Sequence, residues 1–290
     1  APLWQIDARG FAVSVLTGIV FGVAPAWQAS RPNTVHALKE EAGRGSGGRT
    51  GQRLRGALVV AQVAVCLVLL VGASLFVRSL GAAQNLEPGF DPDDVLIASV
   101  DLVPNGNTAD TGRQFHRRLV EAVTALPGIA SAALARRVPL GPGGTSSTSV
   151  EIGGYTPQPN EDANIVYNLA GPRYFETMRI PLVAGREFTG EDTREGTQVV
   201  VINETMAKRY WAGGDPLGGR IRIGKDDCQV VGIVKDIKYT SLAERPQSHM
   251  YLPLEQNFTS QVVLHVRSAG APGAVLASLR DVIRGLDPNL

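Results

Sequence analysis

The sequence predicts an α+β protein: two transmembrane helices followed by a ferredoxin-like domain that carries a β-rich insertion. Three observations lead there. Two uncharged apolar runs stand near the start, at residues 11–29 and 56–77. A β-α-β period follows over residues 95–138, and its first two parts recur at residues 261–286. Between these lies a long segment rich in β-branched residues and turn signals.

Each apolar run is long enough for a helix of roughly 30 Å, the thickness of a bilayer's hydrocarbon core. Gly18 and Gly22 in the first run form a GxxxG spacing, which lets a second helix approach closely. Residues 31–55 between the runs hold six basic and two acidic residues. Lys and Arg concentrate in short cytoplasmic loops, so this loop is expected in the cytoplasm and the chain after Arg78 outside it. From Ser79 onward there are 20 basic and 24 acidic residues, an ordinary balance for a solvated domain.

In the outer part, residues 95–103 (VLIASVDLV) read as a buried strand. Over residues 111–126, Phe115, Leu119, Ala122, Val123 and Leu126 share one helical face, and Pro127-Gly128 ends that helix. Residues 129–138 read as a second strand. The pattern returns as a strand over 261–267 and a helix over 272–286, with Val275, Leu279, Val282, Ile283 and Leu286 on one face. Two such units commonly pack as a split β-α-β sheet. In the insertion, the Gly/Ser/Thr-rich stretch 141–149 reads as a flexible polar connection. Strands are expected at 165–169, 198–202, 220–224, 229–234 and 249–252. Asn203 reads as the N-cap of a short helix ending at Tyr210.

Composition excludes several function classes. The near balance of 28 basic and 27 acidic residues argues against a globally basic nucleic-acid binder. Two cysteines, Cys66 and Cys228, build neither a disulfide framework nor a four-cysteine zinc site. None of His36, His116, His249 and His265 stands at metal-ligand spacing. Residues 43–50 (GRGSGGRT) approach a phosphate-binding loop, but Arg49 replaces its lysine and no strand precedes it, so a flexible basic linker is the better reading. Asp226 and Asp227 beside Cys228 should raise its thiol pKa, which suits a strand residue rather than a nucleophile. Asn203-Glu-Thr and Asn257-Phe-Thr are glycosylation sequons of a kind that often arise by chance.

Longer stretches carry a resemblance. FGVAPAWQASRP (21–32) with ALKE (37–40) looks like the end of one permease unit, and ALVVAQVAVCLVLLVGASLFVRSL (57–80) like the first membrane helix of the next. LEPGFDPDDVL (86–96), RYFETMRIPLVAGREF (173–188), VVINETMAKRYW (200–211) and VVGIVKDIKYTSL (230–242) resemble the MacB-like periplasmic core domain. The chain therefore resembles the MacB-type and FtsX-like permeases of ABC transporter systems, in the branch where the permease unit is duplicated. The resemblance implies a last transmembrane helix of one unit (1–30), a basic cytoplasmic linker (31–55), a transmembrane helix with a stalk (56–86) and a periplasmic core domain (87–290). Within the last it implies a porter part (94–140 and 257–290) and a sabre insertion (141–256). It implies a multi-pass protein of the bacterial inner membrane, a piece of a longer chain, with its residues after about 79 extracytoplasmic. The implied partners are membrane lipid, a cytoplasmic ABC ATPase, a periplasmic adaptor and a second permease unit as dimer or pseudo-dimer. Neither a cofactor, a nucleic-acid partner nor catalytic residues are expected. The alternative is a membrane-anchored sensor or interaction module without transport activity.

Overall fold

The computed structural model describes residues 48–84, 87–102, 108–158 and 163–287. The chain divides into two compact units, Ala1–Arg78 and Ser79–Leu290. The first apolar run, with Gly18 and Gly22, lies outside the described residues.

Helix α1 spans Gly48–Gln84, 37 residues without a proline, or about 55 Å at 1.5 Å per residue. Every Val, Leu and Phe from Val59 to Val77 is more than half exposed, and Val59–Ser79 is long and apolar enough to cross a membrane. Ser74 turns its hydroxyl back onto the Val71 carbonyl at 2.8 Å, so its polar group needs no outside partner. The helix begins eight residues before the end of the expected linker. Gly48–Arg55 are helical because extending an existing helix adds one hydrogen bond per residue fixed, which offsets the roughly 1 kcal/mol that each glycine costs.

In the second unit, β1 (Val95–Asp101), β10 (Gln261–Ser268) and β2 (Ile129–Ala135) form an antiparallel sheet with β10 in the centre. Helices α2 (Ala109–Thr124) and α5 (Pro272–Leu286) pack on one face. Leu119, Val123 and Leu279 from the helices meet Val100, Ala132, Leu134, Val262, Leu264 and Val266 from the strands in one core. The other face carries Ala133 and Ala135, which join a second core with Tyr174, Phe175 and Met178 of α3 (Tyr174–Met178). Both faces of β2 are thus covered, which is why Ala132–Ala135 are apolar without a break rather than alternating.

The insertion is a closed ring of six strands. Its order is β4 (Asn164–Ala170), β3 (Ser146–Ile152), β7 (Arg220–Ile223), β8 (Asp226–Val234), β6 (Val199–Asn203) and β9 (His249–Pro253), and β9 returns to β4 by parallel pairing. Strand β5 (Leu182–Gly185) pairs on the side of β8. Inward residues such as Val150, Ile165, Val200, Ile221, Val230 and Met250 fill the ring. Among the described residues one ladder pair, Ala135 with Ala170, continues the three-stranded sheet into the ring. The flanking Arg136 N–H donates to Leu169 and the Gly171 N–H to Leu134.

The stretch 141–149 is not a plain connection, because β3 starts at Ser146. Thr148, Val150 and Ile152 are more buried than Ser147, Ser149 and Glu151. This is a two-residue period whose polar half disguised it. Strand β8 starts at Asp226 rather than Gln229, since Asp226 and Asp227 pair across the hairpin with Ile223 and Arg222. Helix α4 (Glu204–Tyr210) is capped by Asn203, whose Oδ1 accepts from the Met206 N–H at 3.0 Å. The same oxygen accepts from the His249 N–H, and Nδ2 donates to Gln247. Asn203 is 4% exposed, so the sequon it begins is closed to glycosylation in the folded chain.

Candidate functional site

Residues 87–94 lead from the end of α1 into β1, and the second unit grips them along their length. The Pro88 carbonyl accepts from the Lys238 N–H at 2.8 Å. Gly89 follows with φ +84°, and a Cβ there would lie 2.4 Å from the Asp236 carbonyl oxygen, so only glycine fits. Phe90, Val95 and Ile237 pack against the core of Tyr174, Phe175, Met178, Tyr239 and Tyr251. The Asp91 N–H donates to Met178 at 3.0 Å, and Asp94 accepts from the Ser268 N–H at 3.0 Å.

Arg267 is the centre of this anchor. It stands near the end of β10, 4% exposed, on a strand whose core-facing residues include Val262, Leu264 and Val266. Its Nη2 donates to the Asp91 carbonyl at 2.6 Å, Nη1 to Asp93 at 2.7 Å and Nε to Thr177 of α3 at 2.7 Å. Nη1 also lies 3.5 Å from the Asp91 carboxylate, which accepts from Arg179 at 2.6 Å and from the Asp93 N–H at 3.0 Å. Burial raises the Asp91 pKa, but the hydrogen bonds from Asp93 and Arg179 and the charge of Arg267 outweigh it and leave the carboxyl below its ordinary value. Burial depresses the Arg267 pKa, and the Asp91 charge opposes that shift. The planar guanidinium supplies donors in a fixed fork, which suits three converging carbonyls better than an ammonium would.

Behind the anchor lies an aromatic cluster. Tyr239 stacks on His249 with centroids 4.0 Å apart and 15° between planes, and Tyr174 meets His265 edge-on at 5.5 Å. Asn168 joins this cluster to the sheet by exchanging 3.1 Å bonds with the Arg137 backbone and donating to the Tyr239 hydroxyl at 3.4 Å. Tyr239 is fixed further by the Leu140 N–H on its carbonyl. Burial lowers the His249 pKa to about 3 and that of His265 to about 4, so both are neutral at ordinary pH.

This arrangement is built to hold a chain segment. Cys228 lies in the ring with its thiol pushed up to about 11 by burial and by Asp226 and Asp227, which disfavours the reactive thiolate. Among the described residues no three His, Cys, Asp or Glu side chains gather as metal ligands. Residues 43–47 of the glycine-rich stretch lie outside the described residues, and 48–50 are helical. The anchor residues Arg267, Arg179, Asn168 and Tyr239 were not singled out from the sequence. The available signal was a basic residue closing the strand pattern QVVLHVR, where an exposed terminus is the usual reading.

A sequence profile of the MacB-like periplasmic core domain matches residues 57–282. The chain belongs to this family. Among curated relatives of this MacB-like domain, the probable syringafactin export ATP-binding/permease protein SyfD of Pseudomonas syringae pv. tomato is 35% identical over 97 residues, 33% of this chain and 14% of that protein. The macrolide export ATP-binding/permease protein MacB of Rhodopseudomonas palustris is 24% identical over 192 residues, 64% of this chain and 27% of that protein. The chain thus matches only about a seventh to a quarter of the length of these relatives. The crystal structure of the periplasmic region of MacB from Actinobacillus actinomycetemcomitans has a TM-score of 0.46 at 20% identity, covering 68% of this chain and 86% of that one.

Proposed function

We propose that this chain is part of the permease component of an ABC-type export system, and that it carries motion from the membrane to a periplasmic domain. A partner ATPase in the cytoplasm would move the helices, and residues 87–94 would pass that motion to β10 and α3 through Arg267. The anchor is the single observation that carries this reading: a segment that merely tethered a domain would not need a buried guanidinium on three of its neighbours' carbonyls. The names of the curated relatives, export ATP-binding/permease proteins, support the class. On this reading the two apolar runs are two transmembrane helices of a multi-pass inner-membrane protein, and residues 31–55 face the cytoplasm. The β1-β10-β2 sheet with α2 and α5 is the ferredoxin-like porter part, the six-stranded ring the sabre part. Gly18 and Gly22 serve helix packing, and a second permease unit completes a dimer or pseudo-dimer.

The test is an insertion of two glycines after Ala82 in the full-length transporter. Membrane insertion and ATPase binding should persist while ATP-dependent export is lost. Export at the unaltered rate would make α1 a passive tether and defeat the proposal.

A further inference from the structure

At one end of the six-stranded ring the interior is not filled. Farther in, the inward positions are Val150, Ile152, Ile165 and Ile221, and they close the core. At this end the inward positions are Thr148 on β3 and Tyr167 on β4, and a crevice of about 420 Å3 remains. That volume lies within the ~300–1,000 Å3 typical of small-molecule sites, and mouths of β-barrels are a common place for them. Leu169 and Leu252, a cross-strand pair of β4 and β9 that is 5% and 4% exposed, line it on the side toward the three-stranded sheet. Tyr167 and Phe258 supply aromatic walls. Phe258 is held in place, with the His116 ring 5.6 Å away and Arg113 over its face at 5.4 Å.

The charge of the crevice is one-sided. Arg136 is its only charged lining residue among the described residues. Its backbone is pinned to β4 through Leu169, but its guanidinium has no hydrogen bond or ion pair among the described residues. The neighbouring Arg137, by contrast, is engaged by the Gly143 carbonyl. The hydroxyls of Thr148 and Tyr167 likewise have no hydrogen bond among the described residues and can donate. A guanidinium matches a carboxylate with two parallel bonds. With a single cation and no second one to balance it, a monoanion fits better than a doubly charged phosphate.

We propose that the mouth of the ring binds a small amphiphilic monoanion, with its apolar body against Leu169, Leu252, Tyr167 and Phe258 and its carboxylate on Arg136. The site does not depend on the transport reading. The probe is 2-naphthoate, titrated by saturation-transfer NMR and equilibrium dialysis against the 290-residue chain in nanodiscs, with empty nanodiscs as the blank. Saturable binding above the blank is expected, with the neutral analogue 2-naphthylmethanol at least tenfold weaker. Arg136→Gln should lower naphthoate affinity at least tenfold and abolish the preference over the alcohol, while Arg136→Lys should retain most of the preference. Absence of saturable binding above the blank would overturn the proposal, as would equal affinity of the unaltered chain for acid and alcohol. The second comparison needs no variant and so does not depend on how the substitutions fold.

Discussion

Arg267 Nη2 lies 2.6 Å from the main-chain carbonyl oxygen of Asp91, a residue 176 positions earlier. The contact joins the central strand of the sheet to the segment that follows α1. Because the guanidinium is buried and also reaches Asp93 and Thr177, removing it strands several carbonyls at once rather than loosening one surface contact.

Arg267→Met should therefore destabilise the second unit by about 3 kcal/mol, the scale of a buried charged hydrogen-bonding group removed from its partners. Arg267→Lys should recover less than half of the loss, since an ammonium cannot reach three carbonyls with the same geometry. Urea denaturation of the full chain, followed by near-UV circular dichroism, measures both. A loss below about 0.5 kcal/mol for the Met variant would show that the anchor carries little energy.

Gly89→Ala should displace residues 87–94, because the added Cβ meets the Asp236 carbonyl and the positive φ strains any L side chain. Hydrogen exchange at the Lys238 amide, which bonds the Pro88 carbonyl, should accelerate at least tenfold. An unchanged rate would mean that the grip survives without the close approach at Gly89.

Acid should weaken the fold through its buried histidines. Burial lowers the pKa of His116 to about 4, of His249 to about 3 and of His265 to about 4. A depressed histidine pKa means that the unfolded chain binds more protons at mildly acid pH. Stability is therefore complete above about pH 6.5, the unfolded value, and falls as the pH drops toward the folded values, by up to about 1.4 kcal/mol per pH unit for each group. His249→Phe keeps a ring against Tyr239 and removes one such group. Its stability should fall less steeply between pH 6 and pH 4, and a slope equal to that of the parent would sink the assignment.

The orientation of the membrane segment is open to labelling. Cysteine placed at Ser46 should resist an impermeant thiol reagent on intact cells, whereas cysteine at the exposed Thr145 should react. The reverse pattern would place the basic segment outside.

Much of the fold was legible because its signals are local. The uncharged run over residues 56–77 needs no partner to read as a long helix. The periods of α2 and α5 follow from one face packing on a sheet. Asn203 announced a helix start because its side chain bonds a backbone N–H only three residues away. Short elements were harder. Helix α3 has five residues and is bounded by Arg173 and Arg179, both at positive φ, with no glycine to mark either end. Strand β3 hid behind four consecutive Ser and Thr residues.

The sequence by itself determined an apolar helix, a β-α-β unit with a partial repeat, and a β-rich segment between them. Only the tertiary structure decided that this segment closes on itself, through the pairing of Val166 with His249 and the residues that follow. It also decided that Arg267 points inward onto Asp91 and that the ring is left open at Thr148 and Tyr167. Periodicity reports which face of a strand is buried, because that depends on alternating neighbours along the chain. It is silent on which strand pairs with which, because distant segments meet at a free energy set by the whole core, and a lone arginine or threonine carries the same local signature whether it meets water, a carbonyl or an empty crevice.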